Sequence, residues 1–354
     1  MLIMSKLVLK MTTITRRNRI LTALNGGIPD RPPIAFDAHG DTMSAVYKHY
    51  GAVSKNDLYL KTGIDGFSVW EWNAVMGRYT GTLKISSDGT ELDFWGNSSQ
   101  HNFGLLECNT VEDLNTHAWP QVDDFDFSHI HAQALEIKAQ DMVVSAGHIG
   151  LGYQIHNMLR GNENALYDVS DEEYMQVYVE KMTEFTTSYI ENLLNAGQGE
   201  IEVVRADDDI GTMDRLMISP EMWRTYYKPA WKQAFDIVHA HGAKVWFHSC
   251  GYIWPLLEDL IEIGVDCWNP FPDYVKDNDH ARLKEYRKGR LVLDGGVSHL
   301  TLVHKKPADV RDATLRVLDT FAPDGGLLIG PSQVFTEDMP TENIIAFFDT
   351  VLEG

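Results

Sequence analysis

Basic residues are scarce in this chain. Its 354 residues carry 30 Lys and Arg against 51 Asp and Glu, a formal net charge of −21. A surface for the phosphate backbone needs clustered Lys and Arg, so no nucleic-acid partner is expected. The same shortage argues against a polybasic membrane surface. Cysteine is scarce too. Cys108, Cys250 and Cys267 are odd in number and cannot make a paired disulfide framework, which reads as a reduced, cytoplasmic protein. No apolar run reaches the about 18 residues of a membrane-spanning helix. Residues 1–10 are mildly hydrophobic but lack a long apolar stretch and a small-residue cleavage site, so they read as an N-terminal extension rather than a signal peptide. Phosphate-binding Gly-x-Gly-x-x-Gly and Walker loops are absent, as is the Gly-x-Ser-x-Gly nucleophile elbow. No Pro/Ser-rich linker divides the chain, so residues 11–354 read as one domain.

What is present is an ordinary globular composition, 44% hydrophobic and 23% charged, arranged as strand-then-helix alternation. Apolar runs of strand length fall at 33–37, 66–72, 142–146, 200–206, 244–250, 266–270, 291–294 and 326–330. Helical patterns lie between the later ones, and a closing helix is expected at 342–352. Eight strands with a closing helix predict a (β/α)8 barrel, with a doubly wound sheet as the alternative. Residues 78–140 break the alternation. Segments 78–85 and 91–95 flank Asp88-Gly89 and read as a hairpin, part of an insertion after the second strand and over the barrel mouth.

His248 and Cys250 are the strongest chemical signal. They stand two apart at the end of the fifth predicted strand, so they share one face. An imidazole and a thiolate on one face are half of a zinc site. Both residue types also occur as plain core, so the other strand ends matter. Those ends carry Asp37 and His39, Glu71 and Trp72, His148 with Tyr153 just beyond, Asp207 to Asp209, Asn269, Asp294, and Ser332-Gln333. In a barrel these converge on one bowl. Asp and Asn at such places also cap the following helices, and the triple Asp also suits a solvated loop. Carboxylates beside His and Cys suit a divalent metal or acid/base work. On that reading Asp37, His148 and Asp208 are the acid/base candidates. His39, Glu71, Trp72, Tyr153, Asn269 and Asp294 are the substrate-binding candidates. Trp70, Trp72, Tyr79 and Trp95 near the mouth suit an aromatic or quaternary-ammonium ligand, or simply pack the insertion onto the barrel.

The motifs also come in a familiar order. The segment Arg16-Arg-Asn-Arg-Ile-Leu-Thr-Ala-Leu-Asn-Gly-Gly-Ile-Pro-Asp-Arg-Pro-Pro33 resembles the opening of the uroporphyrinogen decarboxylase superfamily. Asp207-Asp-Asp-Ile-Gly211, Ile218-Ser-Pro-Glu221, Lys228-Pro229 and Phe247-His-Ser-Cys-Gly251 follow in the superfamily's order. Ile263-Gly-Val-Asp266, Gly295-Gly296-Val297 and Asp338-Met-Pro-Thr-Glu-Asn-Ile344 complete it. The resemblance covers nearly the whole chain after residue 11 and implies a (β/α)8 barrel. The decarboxylases carry Arg-Gln-Ala-Gly-Arg-Tyr after the first strand to bind substrate carboxylates. Here that place reads Phe36-Asp-Ala-His-Gly-Asp-Thr42, acidic where the decarboxylase is basic. The resemblance therefore points to the corrinoid-dependent methyltransferase branch, whose zinc-binding His-x-Cys matches His248 and Cys250. It implies zinc as Lewis acid and a corrinoid carried by a separate partner protein. The substrate implied is a small methylated molecule, a methoxylated aromatic or a methylamine. A homodimer follows by family analogy alone. The branch's third ligand falls at Gln333, a poor zinc ligand, so an acidic residue such as Glu202, Asp207 or Asp208 is the substitute. The alternatives are a metal-independent lyase of a non-porphyrin carboxylate and a barrel that binds without turnover.

Overall fold

Among the described residues, parallel strands bond to their neighbours in sequence order. A computed structural model describes residues 14–35, 38, 42–66, 74–86, 89–98 and 103–353, the side chains of His148 and Ile149 excepted. The strands are β1 (Ala74–Val75), β2 (Arg78–Tyr79), β3 (Phe125–Asp126), β4 (Ser145–Gly150), β5 (Val203–Asp207), β6 (Lys244–His248), β7 (Cys267–Asn269), β8 (Val292–Val297) and β9 (Leu327–Pro331). The seven-stranded sheet runs β1-β4-β5-β6-β7-β8-β9, parallel throughout. Ile34 and Ala38 then bridge in parallel to Ile329 and Phe335, so the N-terminal segment lies beside the last strand. That is the strand order of a (β/α)8 barrel, in which the chain's first strand meets its last. The strand expected at 66–72 lies, from residue 67 on, outside the described residues.

Side-chain alternation builds two cores. Val204, Ala206, Val245, Phe247, Trp268 and Leu293 point outward into the helical layer. Val203, Trp246, Cys267, Val292 and Leu328 point inward, where Ile20, Ala23 and Leu24 of the helix Arg16–Leu24 plug the amino end. Two residues further along these strands the inward positions turn polar: Arg205 and Asp207 on β5, His248 on β6, Asn269 on β7, Asp294 on β8. Period 2 thus stacks an apolar plug beneath a polar bowl at the carboxyl ends.

The insertion differs in part from its expected form. Arg78 pairs with Asp126 and Tyr79 with Phe125, so β2 takes a distant antiparallel partner in β3. The expected hairpin between 78–85 and 91–95 is present in short form: Ile85 bridges Glu91 in antiparallel sense, Leu92 N–H donates to the Lys84 carbonyl at 2.9 Å and Ser86 N–H to the Thr90 carbonyl at 2.9 Å. Aromatic packing decides the pairing of β2 with β3: Tyr79 and Phe94 both sit edge-on to Phe125 and tilted to each other, with Phe125 9% exposed. The far boundary also moves. The helix Ile130–Ala139 packs on β1 and on the helix Glu172–Gly197, as a barrel helix does. The strand expected at 142–146 runs at 145–150, which carries position 148 into the strand. No helix among the described residues is long and apolar enough to cross a membrane.

Candidate metal centre and aromatic cavity

Three consecutive carboxylates leave β5 in three directions. Asp207 points into the barrel, where Arg205 Nε donates to its Oδ1 at 2.9 Å and Arg205 Nη2 lies at 2.8 Å. Asp208 turns outward and is fully buried. Its Oδ1 accepts from the Gln154 backbone N–H at 2.8 Å and its Oδ2 from Trp223 Nε1 at 3.1 Å. It thereby caps the helix Tyr153–Arg160, whose own N-cap residue is Gly152 and offers no side chain. A Cβ on Gly152 would stand 2.0 Å from Asp208 Oδ2, so only glycine admits this packing. Burial pushes the Asp208 carboxyl up to about 7. Asp209 reaches the end of β6, where its Oδ1 accepts from the Cys250 backbone N–H at 2.7 Å and its Oδ2 from Gln154 Nε2 at 3.0 Å.

Asp209 completes a cluster with His248 and Cys250, the donor atoms all within 4.8 Å of one another. Cys250 Sγ lies 3.4 Å from His248 Nε2, and His248 Nε2 lies 3.6 Å from Asp209 Oδ1. Tetrahedral zinc with ordinary Zn–S, Zn–N and Zn–O bonds sets its donors about 3.5 Å apart. The residues therefore fit a zinc ion in both donor type and spacing. The imidazole is prepared for it. Asn269 Nδ2 donates to the Asp294 carbonyl at 3.3 Å, which turns Asn269 Oδ1 toward His248 Nδ1 at 2.8 Å. An oxygen facing Nδ1 assigns the proton to Nδ1 and leaves the Nε2 lone pair facing the cluster. Burial, and next the neighbouring Asp209 carboxylate, push the Cys250 thiol up to about 12. A divalent cation there would favour the thiolate instead.

Two glycines hold the strand-end loops together. A Cβ on Gly251, at φ 78°, would meet the Gly211 carbonyl oxygen at 2.5 Å, and one on Gly211 would meet the Tyr252 backbone nitrogen at 2.6 Å. Tyr252 N–H donates to the Thr212 carbonyl at 2.7 Å between them. This close approach of loop to loop seats Asp209 beside Cys250.

Above the strand ends lies a cavity of about 350 Å³. Tyr79, Phe94, Trp95 and Phe125 of the insertion line it with Phe185 and Tyr189 of the helix Glu172–Gly197. Asp207 and Gln154 line it as well, so the cavity and the cluster share a wall.

Not every expected site residue lies here. Asp208 is enclosed by protein and caps a helix rather than facing the bowl. Tyr153 is fully buried, its ring packed edge-on to His156 and Tyr227 at 6.3 and 6.5 Å, and lies outside the cavity. Glu202 stands at the amino end of β5, where Arg17 and the Val144 N–H engage its carboxylate, so it is no ligand to this cluster. Gln333 is exposed, two residues past β9. Asn269 supports His248, and Asp294 accepts from Trp246 Nε1 at 2.7 Å beneath it. Asp37, His39, Trp70, Glu71, Trp72 and the side chain of His148 lie outside the described residues. Gln154 and Phe185 were not singled out from the sequence, and Asp209 was named only as the last of the triple Asp. A signal existed for Phe185, which is spaced i, i+4 with Tyr189 on one helix.

Residues 153–354 match the family model described as uroporphyrinogen decarboxylase (URO-D), more than half of the chain. A solved structure titled "methyltransferase from Methanosarcina mazei" superposes with a TM-score of 0.63. It is 19% identical and the match covers 96% of this chain and 99% of that one, a likeness of fold. No curated protein matches the chain.

Proposed function

This chain belongs to the uroporphyrinogen decarboxylase family, and we propose that its chemistry is zinc-dependent methyl transfer rather than decarboxylation of a porphyrinogen. The observation that carries the reading is the Asp209–His248–Cys250 cluster, with donor spacings of 3.4 and 3.6 Å and the Nε2 lone pair turned inward. The cavity supports it. Among the described residues its lining includes Asp93 and Asp207 but no Lys, Arg or His, a poor match for a substrate with many carboxylates. At about 350 Å³ it sits at the small end of ligand pockets, room for one ring and not for a tetrapyrrole. The solved relative of like fold bears the name methyltransferase, in agreement with this choice.

The protein's own part in the reaction is binding and orientation. The aromatic wall holds a small methylated substrate, a methoxylated aromatic or a methylamine, beside Gln154, which bonds the cluster's Asp209. Gln154 and the Cys250 N–H hold Asp209, and Asn269 holds His248, so that three donors converge before metal arrives. Zinc bound there would supply Lewis-acid activation of the substrate heteroatom or of a thiol. A corrinoid carried by a separate cytoplasmic protein would supply or accept the methyl group. The metal-free lyase reading uses Asp37, Asp208 and His148 for acid/base steps; of these Asp208 is enclosed by protein, and Asp37 and the side chain of His148 lie outside the described residues.

Metal analysis of protein purified without chelator or affinity metal tests the proposal. About one zinc per chain is expected in the wild type, and a large loss in Cys250→Ala. Wild-type protein that holds no metal, even after zinc is supplied, would overturn it.

A further inference from the structure

We propose that Gln154 is the positioning residue that couples the aromatic cavity to the metal cluster, so that an apolar ring in the cavity and a zinc ion at the cluster each tighten the binding of the other. The inference deepens the reading just given and rests on it for the ion that the cluster takes.

Gln154 is the second residue of the helix Tyr153–Arg160. It lines the cavity together with Ile155 and Met158 of the same helix, and its Nε2 donates to the cluster's Asp209 at 3.0 Å. One side chain therefore touches both sites. Its backbone is fixed. The Gln154 N–H donates to the enclosed Asp208 at 2.8 Å, and Gly152 packs against that carboxylate with no room for a Cβ. The side chain is held less firmly. It is half-buried, and among the described residues the bond to Asp209 is the one hydrogen bond that orients its amide.

Asp209 depends on that bond. Its Oδ1 accepts from the Cys250 N–H at 2.7 Å and stands 3.6 Å from His248 Nε2, while its Oδ2 accepts from Gln154. Donors on both oxygens fix the rotation of the carboxylate, whose terminal torsion is otherwise broad. An ion at the cluster needs that orientation, and so needs Gln154 ordered. Glutamine is among the side chains that lose most rotamer freedom on ordering. A ring in the cavity packs against the stem of Gln154 and removes water that competes for its amide. A hydrogen bond to a carboxylate strengthens as its surroundings become less polar. Whichever ligand arrives first orders Gln154, and the second is spared that cost. The coupling is equal in both directions. A neutral amide suits the place, because it donates to Asp209 without adding a charge that would repel the carboxylate or the ion.

Zinc affinity by chelator competition, with and without saturating toluene, tests this. Toluene has no atom that ligates zinc, so its effect must pass through the protein. In the wild type it is expected to tighten zinc about 5- to 30-fold, and calorimetry should find toluene bound tighter by the same factor in zinc-loaded than in zinc-free protein. Gln154→Leu roughly keeps the volume and loses the donor. Without toluene it should bind zinc about 10-fold more weakly than the wild type. Zinc-free, it should hold toluene within about tenfold of the wild type. Its coupling factor should fall to about 1. Gln154→Ala, which opens space instead of filling it, should lose the coupling too, and it decides the matter if the Leu variant fails to fold. A purely structural role would weaken both ligands and leave the factor between them unchanged. Zinc affinity that toluene does not alter in the wild type, a factor that persists in the variants, or no toluene binding would each overturn the inference while the zinc reading stands. A wild type that takes up no zinc would sink both.

Discussion

Asn269 settles which nitrogen of His248 carries the proton. Its amide is itself oriented by the Asp294 carbonyl, so a contact one residue removed from the cluster sets the chemistry of a ligand. Asn269→Ala should lower zinc affinity about 10- to 100-fold by chelator competition, with the fold retained. Unchanged affinity would show that the imidazole is held by other means. The three aspartates make the same point. Adjacent in sequence, they become an ion pair in the barrel, a buried helix cap and a cluster ligand. From residue types alone Asp209 read equally as a solvated loop, because its partners Gln154 and Cys250 lie 55 and 41 positions away.

The helix Tyr153–Arg160 carries more than its length indicates. Its first turn holds Asp208 and Asp209 through Gln154, and its last turn is tied down by a buried network. His156 is fully buried there, stacked on Tyr178 at 4.2 Å and bonded to Tyr227 Oη at 2.8 Å and Asp168 Oδ2 at 3.1 Å. Arg160 supplies the counter-charge, its Nε 2.7 Å from Asp168 Oδ2, so the imidazole stays neutral. Burial holds the His156 pKa below its ordinary value of 6.5. Below that ordinary value the unfolded chain binds the proton that the folded one refuses. The stability linked to His156 is therefore present above 6.5 and drains away as pH falls toward the folded pKa. Denaturation midpoints should drop from pH 7 toward pH 5, and His156→Gln should flatten that slope. An equal slope in the variant would assign the acid lability to other groups. At this scale most barrel strands were legible, because strands buried on both faces are apolar runs of recognisable length. The partner of β2 was not. Nothing local to Arg78 and Tyr79 indicates a match some 45 residues downstream, at Asp126 and Phe125, since antiparallel register over such a distance is chosen by packing.

Across the whole molecule, a metal bound at this cluster would be linked to the fold. The cluster draws on the ends of β5 and β6, whose register runs Val203 to Lys244 through Asp207 to His248. An ion that binds only this folded arrangement stabilises it by about 2.7 kcal/mol at a hundredfold excess over its Kd. Zinc should raise the thermal midpoint of the wild type, and Cys250→Ala should lose most of that increment. An equal rise in both would place the binding elsewhere.

The order of strands, the family motifs and the His248-x-Cys250 pair were determined by the sequence itself, since hydrophobic period and residue spacing are local quantities. The glycines of Asp207-Asp-Asp-Ile-Gly211 and Phe247-His-Ser-Cys-Gly251 were visible as motifs, but their reason is tertiary: two loops pack backbone to backbone. Only the folded chain decided that Asp209 rather than Glu202 or Gln333 joins the pair. It also decided that Asp208 and Tyr153 are interior, and that rings from the insertion and a barrel helix enclose one cavity. Those outcomes depend on which way each side chain turns once the sheet has formed, and that direction is set by neighbours far along the chain.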